Sequence, residues 1–244
     1  MIAGLATLLD LTAAGLAGFI LVFVRVGSVM ALLPAFGEQL IPARVRLALT
    51  LAFAMVVWPM LAGTLPPLDP GRPFFLMLGI EAAVGLLLGI GVRMLVWALQ
   101  FAGTVIAQST ALAQILGAGV APDPMPAIGN ILMLAGITLA VVMGLHVKAA
   151  ILMARSYEVL PMGMGIAGAD VAAWGTARIA RAFALGFSLA APFVIAAFAY
   201  NLALGAINRA MPQLIVAFVG APAITAGGLF ILMLQAAIWL RAGI

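Results

Sequence analysis

Long apolar runs separated by short polar segments constrain this chain more than any other feature of its sequence. Several runs reach about 18 residues or more, and a helix needs about 20 apolar residues to cross the hydrocarbon core of a bilayer. The 244 residues are 66% hydrophobic and only 7% charged, whereas soluble domains average about 45–50% apolar and about 25% charged. No polar stretch is long enough to build a soluble domain. The sequence therefore predicts an all-α integral membrane protein.

We expect a single membrane domain over residues 1–244, built of about six long, partly broken hydrophobic helices arranged as hairpins. The first hairpin joins Leu11–Leu33 to Val45–Leu65. Pro34 and Pro42 disfavour continuation of the first helix, and the connection is short, so the two segments should run antiparallel.

Composition excludes several classes of function. The net charge of +4 comes from very few charged residues, so the high isoelectric point reflects scarce acid and does not indicate a nucleic-acid-binding patch. Cysteine is absent, which excludes disulfides, thiolate metal sites and cysteine nucleophiles. His146 is the only histidine, and no acid is placed to complete a metal site or a catalytic triad with it. The sequence predicts neither an enzyme nor a bound cofactor or metal.

Several charged residues lie inside apolar runs. Glu81, Gly85, Gly89 and Arg93 follow one another at a spacing of four, which keeps them on one stripe of a helix and favours tight packing at the glycines. Glu81 and Arg93 lie about 18 Å apart along the axis, too far to pair with each other. Arg25 must snorkel, pair with a partner or face a protein interior. The sequence leaves open whether these partners lie in this chain or in another subunit.

A polar segment, NLALGAINRAMPQ at Asn201–Gln213, separates two apolar runs near the C-terminus. An unsatisfied polar or charged group in hydrocarbon is costly, so Asn201, Asn208, Arg209 and Gln213 are not expected to face lipid. Two interpretations remain open. The segment is either a polar loop joining two transmembrane helices or a junction lined by protein or water.

The middle of the chain carries two irregular features. Phe74–Leu116 is too long for one simple span and its second half is polar, so we predict a kinked or re-entrant segment that is buried in protein or lines water. Gly117–Gly129 combines glycines with prolines and cannot form regular structure. It is either a gate or plug or an ordinary turn. Asn130–Met153 follows as one further apolar run.

Three stretches, in order along the chain, together resemble the FliR family of flagellar type III export-gate subunits. Arg25–Ala54 is similar to the family's Arg, then Pro followed by Phe-Gly, then Pro-x-Arg-x-Arg pattern. Glu81–Gln108 is similar to its Glu-Gly-Gly-Arg helix and Gln-x-Ala-Gly element. Asn201–Gln213 resembles its most recognisable segment. The matching positions in the first two stretches are Arg25, Pro34, Gly37, Pro42, Arg44, Arg46, Glu81, Gly85, Gly89, Arg93, Gln100, Ala102 and Gly103.

The chain departs from the family pattern near its C-terminus. Ile215 stands where the family usually has Asn, and Ala221–Ala223 lacks the Phe and Lys of a Phe-Pro-Leu-Lys run. These departures concern the contacts of the final helices and the choice of partner paralogues.

The resemblance implies a non-enzymatic conduit in a hetero-oligomeric helical assembly. FliR-like subunits assemble with several copies of FliP and FliQ around a pore, so FliP-like, FliQ-like and FlhB-like subunits, unfolded protein substrates and the lipid bilayer are the expected partners, without nucleic acid. The expected location is the bacterial inner membrane, multi-pass, at the flagellar basal body. Pairing between subunits would satisfy the polar residues of broken helices.

These considerations give expected roles to three groups of residues. The first group forms ion pairs or polar contacts that fix assembly, the second allows close helix packing, and the third forms part of a movable plug. Flexible methionines would seal around an unfolded substrate without reading its sequence. The assembly group is Arg25, Glu81, Arg93, Asn201, Asn208, Arg209 and Gln213. The packing group is Gly85, Gly89 and Gly103. The plug group is Leu116, Gly117, Gly119, Pro122, Pro124 and Met125.

Three other functions compete with the export gate. The equivalent subunit of a virulence type III secretion system would share its mechanism. A small-solute transporter would also bury charges such as Glu81 and Arg93 in broken helices, although no inverted repeat is evident. An intramembrane enzyme would need a nucleophile with a base or a metal-ligand set, and neither constellation is present in the sequence.

Overall fold

The computed structural model describes residues 2–61, 71–109, 127–210 and 226–234, with side chains described from residue 15 onward except at 127, 204, 207 and 208. Within these ranges the regular secondary structure is entirely α-helical, which confirms the predicted all-α class. The helices are α1 Ile2–Leu32, α2 Ala43–Met60, α3 Phe74–Ser109, α4 Ala127–Val142, α5 Leu145–Val159, α6 Gly168–Ala210 and α7, residues 226–234.

Four of these helices, α1, α2, α3 and α6, contain stretches long and apolar enough to cross a membrane. The pair formed by α4 and α5 is a fifth candidate if a bent pair counts as one span. The described ranges therefore hold four or five candidate spans, and the prediction of a multi-pass membrane protein is confirmed.

The chain divides into two compact units. Unit 1 comprises Met1–Leu95 and Ile137–Ile179, and unit 2 comprises Val96–Gly136 and Ala180–Ile244. Helices α3, α4 and α6 each contribute one part to unit 1 and another to unit 2. The single domain expected over residues 1–244 stays a prediction.

In unit 1, α1 and α2 form the predicted antiparallel hairpin. A Cβ placed on Gly18 would lie 2.9 Å from the ring of Trp58, and one on Gly27 would lie 3.2 Å from Thr50. The earlier residue of α1 thus lies against the later residue of α2, so the two helices run in opposite directions. The ring of Phe19 meets Trp58 edge-on, with centroids 6.0 Å apart, so aromatic packing closes this part of the hairpin.

The connection between α1 and α2 is a tight turn. The N–H of Gly37 donates to the carbonyl of Leu33 at 2.7 Å, and Ala35 adopts a positive φ of 69°. Gly37 lies so close to the end of α1 that a Cβ would overlap the backbone of Ala31, 2.7 Å from its carbonyl carbon. Only glycine fits at this position, which explains why a Pro-x-x-Gly sequence ends the helix.

Helices α1 and α3 pack in parallel through two glycines. A Cβ on Gly85 would lie 2.6 Å from the Cβ of Ser28, and one on Gly89 would lie 2.9 Å from the Cβ of Leu32. The four-residue spacing of small side chains lets the two backbones approach closely. Buried apolar side chains surround this contact, among them Leu21, Val22, Val26, Val29, Met30, Val57, Met77 and Met153.

The apolar run Asn130–Met153 is divided between two helices, in keeping with the predicted partly broken helices. Residues 127–129, which were predicted to be irregular, belong to the first of these helices, so that prediction is wrong for them. Helix α4 ends at Val142, α5 begins at Leu145, and the two are bent by 74°. Gly144 lies at the break with a φ of 79°, a left-handed conformation that costs glycine little. The bend turns the chain from an apolar helix into one that carries five ionisable side chains.

Helices α3 and α6 are longer and more regular than the sequence suggests. Helix α3 is continuous over 36 residues, so the re-entrant alternative is wrong for Phe74–Ser109. Helix α6 is continuous over 43 residues and passes through Pro192. It includes Asn201–Ala210, which excludes a loop for this part of the polar segment; Gln213 lies outside the described residues.

Unit 2 is packed around glycines and aromatic rings. A Cβ on Gly103 would lie 2.6 Å from the backbone nitrogen of Gly129, so α3 and α4 touch backbone to backbone. Phe101 meets Phe183 and Phe187 edge-on, with centroids 5.0 Å and 4.9 Å apart. Among the described residues, the buried core of this unit includes Ile106, Ile128, Ala190 and Phe193.

Candidate functional site

The most distinctive feature of unit 1 is a fully buried ion pair between Arg25 of α1 and Glu81 of α3. Arg25 Nε donates to Glu81 Oε2 at 2.6 Å, and a second guanidinium nitrogen donates to Oε1 at 3.1 Å. Both side chains are 0% exposed. The geometry is the two-pronged arrangement that makes arginine–carboxylate pairs strong and directional.

Helix α5 supplies two further partners to this pair. The remaining guanidinium nitrogen of Arg25 donates to the hydroxyl of Ser156 at 3.1 Å, and that hydroxyl donates to the carbonyl of Met153 at 2.7 Å. The hydroxyl of Tyr157 donates to Glu81 Oε2 at 3.4 Å. The guanidinium carbon of Arg25 lies 3.7 Å from the centre of the Tyr157 ring, a cation–π contact in a desolvated site.

The loop after α5 adds a backbone donor to this group of side chains. The backbone N–H of Gly163 donates to Glu81 Oε1 at 2.8 Å, and the Gly163 carbonyl accepts from Arg72 at 2.5 Å. Gly163 has a φ of 71°, and a Cβ there would lie 2.5 Å from the terminal carbon of Met77. Glycine is therefore required for this peptide to reach the carboxylate. We call Arg25, Glu81, Ser156, Tyr157 and Gly163 the Arg25 cluster.

The Arg25 cluster fastens helices to one another. Arg25 does not snorkel, because its side chain is fully buried and its nitrogens have partners within the chain. Removal of one partner from a buried pair leaves an unpaired charge and costs about 3–5 kcal/mol. The cluster therefore fixes the register of α1 on α3 and holds α5 and its following loop against them.

A second ion pair lies at one end of α1 and is partly exposed. Arg93 donates to the two carboxylate oxygens of Glu38 at 3.2 Å and 3.4 Å, and to the carbonyl of Leu32 at 3.4 Å. The two side chains are 21% and 26% exposed. Arg46 donates to the backbone carbonyl of Glu38 at 2.9 Å. These contacts tie the connection between α1 and α2 to α3.

The structure thus places the sequence-predicted charges in two separate groups. Arg25 and Glu81 lie together, whereas Arg93 pairs with Glu38, which the sequence did not single out. Asn201 and Arg209 are exposed on α6. The side chain of Asn208 is outside the described set, as are Gln213 and the plug candidates Leu116, Gly117, Gly119, Pro122, Pro124 and Met125.

Sequence reasoning also missed Ser156, Tyr157, Gly163 and Arg72 as members or neighbours of the cluster. A signal for the first two exists, because Ala149, Met153, Ser156 and Tyr157 recur at spacings of three and four along α5. That pattern marks the buried face of a helix. Nothing in the local sequence signals the role of the Gly163 peptide, which depends on how the loop folds back.

The Arg25 cluster pairs its charged groups within the chain. This arrangement defines a class of protein: a multi-pass helical membrane protein whose buried charges join helices. Among the described residues no group of three or more His, Cys, Asp and Glu side chains could hold a metal ion.

Comparison with known proteins identifies the family. The model of the family described as "Bacterial export proteins, family 1" matches residues 16–242. The flagellar biosynthetic protein FliR of Caulobacter vibrioides is 31% identical over 88% of this chain and 86% of its own length. FliR of Bacillus subtilis is 29% identical, covering 84% and 80%, and FliR of Escherichia coli is 28% identical, covering 81% and 76%. The chain therefore belongs to the FliR family of bacterial export proteins.

Proposed function

We propose that this protein is a non-enzymatic subunit of the flagellar type III protein export gate in the bacterial inner membrane, at the flagellar basal body. In that assembly it helps to form the pore through which unfolded flagellar proteins are exported. The observation that carries the proposal is that relatives matching between 81% and 88% of this chain are flagellar biosynthetic proteins FliR.

The lengths of α3 and α6 support assembly with other subunits. Their 36 and 43 residues correspond to about 54 Å and about 64 Å of helix, against a hydrocarbon core of about 30 Å. A large part of each helix must therefore lie outside hydrocarbon. Apolar side chains exposed along α6 at spacings of three, four or eight residues are Ile179, Phe183, Phe187, Ile195, Phe198 and Leu202. Such a stripe suits packing against the helices of FliP-like and FliQ-like subunits.

The charge pairs limit which polar residues are available for that assembly. Arg25, Glu81 and Arg93 have partners within the chain, which favours the structural interpretation of these charges over pairing between subunits. Asn201 and Arg209 are exposed at the end of α6. These two residues are the stronger candidates for contacts with FliP-like, FliQ-like or FlhB-like subunits.

The pore-sealing part of the proposal rests on sequence. We place the plug at Leu116–Ala127, because its glycines and prolines disfavour regular structure up to Ala127, where α4 begins. Methionine side chains near it would close around an unfolded chain without requiring a particular sequence.

Co-purification tests the assembly. The tagged chain is expressed with its FliP-like and FliQ-like neighbours, extracted in mild detergent and weighed. A discrete complex much larger than 25.0 kDa that contains both partners is the expected result. A monomer or homo-oligomer indifferent to those partners would contradict the proposal, and solute uptake by the chain alone in liposomes would then identify a transporter. Restored motility in a strain that lacks FliR, without restored virulence secretion, distinguishes the flagellar system from its virulence counterpart.

A further inference from the structure

Helix α5 carries charged side chains, whereas α4, the helix before it, carries none. Its 15 residues include His146, Lys148, Arg155 and Glu158, whereas the 16 residues of α4 include no ionisable side chain. The 74° bend at Gly144 separates the two. Lysine and arginine are strongly disfavoured at the centre of a bilayer unless they face protein or water. The charged side of α5 therefore belongs at or beyond the edge of the hydrocarbon, while α4 is suited to its interior.

The two faces of α5 have different surroundings. Ala149, Met153 and Tyr157 are buried in the core of unit 1. Lys148 and Arg155 are exposed, and they lie seven residues apart, which places them about two turns apart on one outer face. Exposed apolar side chains border the two cations on that face, namely Val147, Ile151, Leu152 and Val159.

We propose that the outer face of α5 lies at the membrane surface and binds anionic phospholipid headgroups through Lys148 and Arg155. A helix that combines cations with apolar side chains and lies in the interface plane binds anionic lipid through both kinds of side chain. Continuity with the apolar α4 brings α5 to the edge of the bilayer. The cations are complementary to lipid phosphates, and Glu158 is the one acid on the exposed side of α5. This lipid contact does not depend on the export function.

The absence of cysteine from the chain allows a reporter to be placed between the two cations. Leu152→Cys in the full chain, labelled with bimane, reports lipids that touch the outer face of α5. The protein is reconstituted into vesicles of phosphatidylcholine containing brominated phosphatidylglycerol or, separately, the same fraction of brominated phosphatidylcholine. The ratio of the two quenching efficiencies gives the preference for the anionic headgroup at this position.

We expect a preference for phosphatidylglycerol of roughly fivefold for each cation at low salt, reduced at high ionic strength by screening. Lys148→Gln with Arg155→Gln should bring the ratio close to one. Lys148→Arg with Arg155→Lys should preserve it, because the charges remain. Glu158→Gln should raise the ratio, since it removes the opposing charge. A reporter at Leu139→Cys, on the uncharged α4, serves as the matched control and should show no headgroup preference.

Two results would overturn the proposal. Equal quenching by both lipids at Leu152→Cys, unchanged by the Lys148 and Arg155 substitutions, would mean that the cations do not select headgroups. Absence of quenching by either lipid would mean that water or another protein covers this face. Circular dichroism spectra of the charge-removing and charge-preserving variants should both match that of the unchanged protein. This comparison separates loss of lipid binding from loss of structure.

Discussion

The contacts inside one compact unit of this chain differ in kind from the contacts inside the other. Unit 1 surrounds a buried, charged cluster with apolar side chains, and Arg25, Glu81, Ser156 and Tyr157 satisfy one another inside it. The described part of unit 2 relies on close backbone approach at Gly103 and on edge-on contacts of Phe101. Unit 1 therefore combines close packing with buried directional bonds, whereas the described part of unit 2 relies mainly on close packing.

This difference has a physical consequence. A buried ion pair permits one register, because any displacement leaves a charge without its partner in a low-dielectric interior. The energy of contacts made by glycines or by aromatic rings changes more gradually on displacement, since dispersion forces decline gradually with separation. We infer that unit 1 keeps a single register, whereas the described part of unit 2 tolerates small displacements of its helices.

The largest effect is expected from removal of one member of the buried pair. Arg25→Ala or Glu81→Ala should each lower the free energy of unfolding by about 3–5 kcal/mol, because the remaining charge stays buried without a partner. The measurement is the loss of helical circular dichroism as sodium dodecyl sulfate is added to the protein in mild detergent.

A double substitution separates the charge effect from packing. Arg25→Met with Glu81→Met should be more stable than either single alanine variant, because no unpaired charge remains and volume is largely kept. If Arg25→Ala unfolds at the same detergent fraction as the unchanged protein, the buried pair is not what fixes unit 1.

An intermediate effect is expected from alanine at the helix-packing glycines. Gly85→Ala and Gly103→Ala each place a Cβ 2.6 Å from an atom of the neighbouring helix, and overpacking of this kind costs about 1–3 kcal/mol. The same titration measures both variants, one in each unit. A larger loss for Gly85→Ala would support the idea that unit 1 cannot adjust its register.

Gly79→Ala is the matched control for these two variants. It lies on the same helix, and a Cβ there would meet nothing within 4 Å. Its effect should be neutral or stabilising, because alanine is favoured over glycine in a helix by up to about 1 kcal/mol. Equal destabilisation at all three positions would show that close helix approach is not the cause.

The smallest effect is expected at the partly exposed ion pair. Arg93→Ala should cost about 0–1 kcal/mol, because solvent screens the attraction between Arg93 and Glu38. The loss should shrink further as salt is added, unlike the loss at Arg25. A cost at Arg93 as large as that at Arg25 would contradict the distinction drawn between buried and exposed pairs.

Several features of the fold follow from local sequence. Pro34 and Pro42 predict the end of α1 and the hairpin, because proline disfavours helix continuation within a few residues of itself. The spacing of Gly85 and Gly89 predicts a packing stripe, because it places both glycines on one face of the helix. The polar residues after Tyr200 left open a loop that α6 does not form over Asn201–Ala210, because protein-lined surroundings can keep a helix intact through such residues.

The sequence by itself determined that this chain is a helical membrane protein of the FliR family, and that its buried charges require partners. Hydropathy and motif order are properties of the linear chain, and no fold is needed to read them. Only the tertiary structure decided that Arg25 pairs with Glu81 and Arg93 with Glu38, and that the chain bends at Gly144. The choice of ion-pair partner depends on which residues lie within about 4 Å of each other in space. The packing of α1 against the glycines of α3 sets these distances.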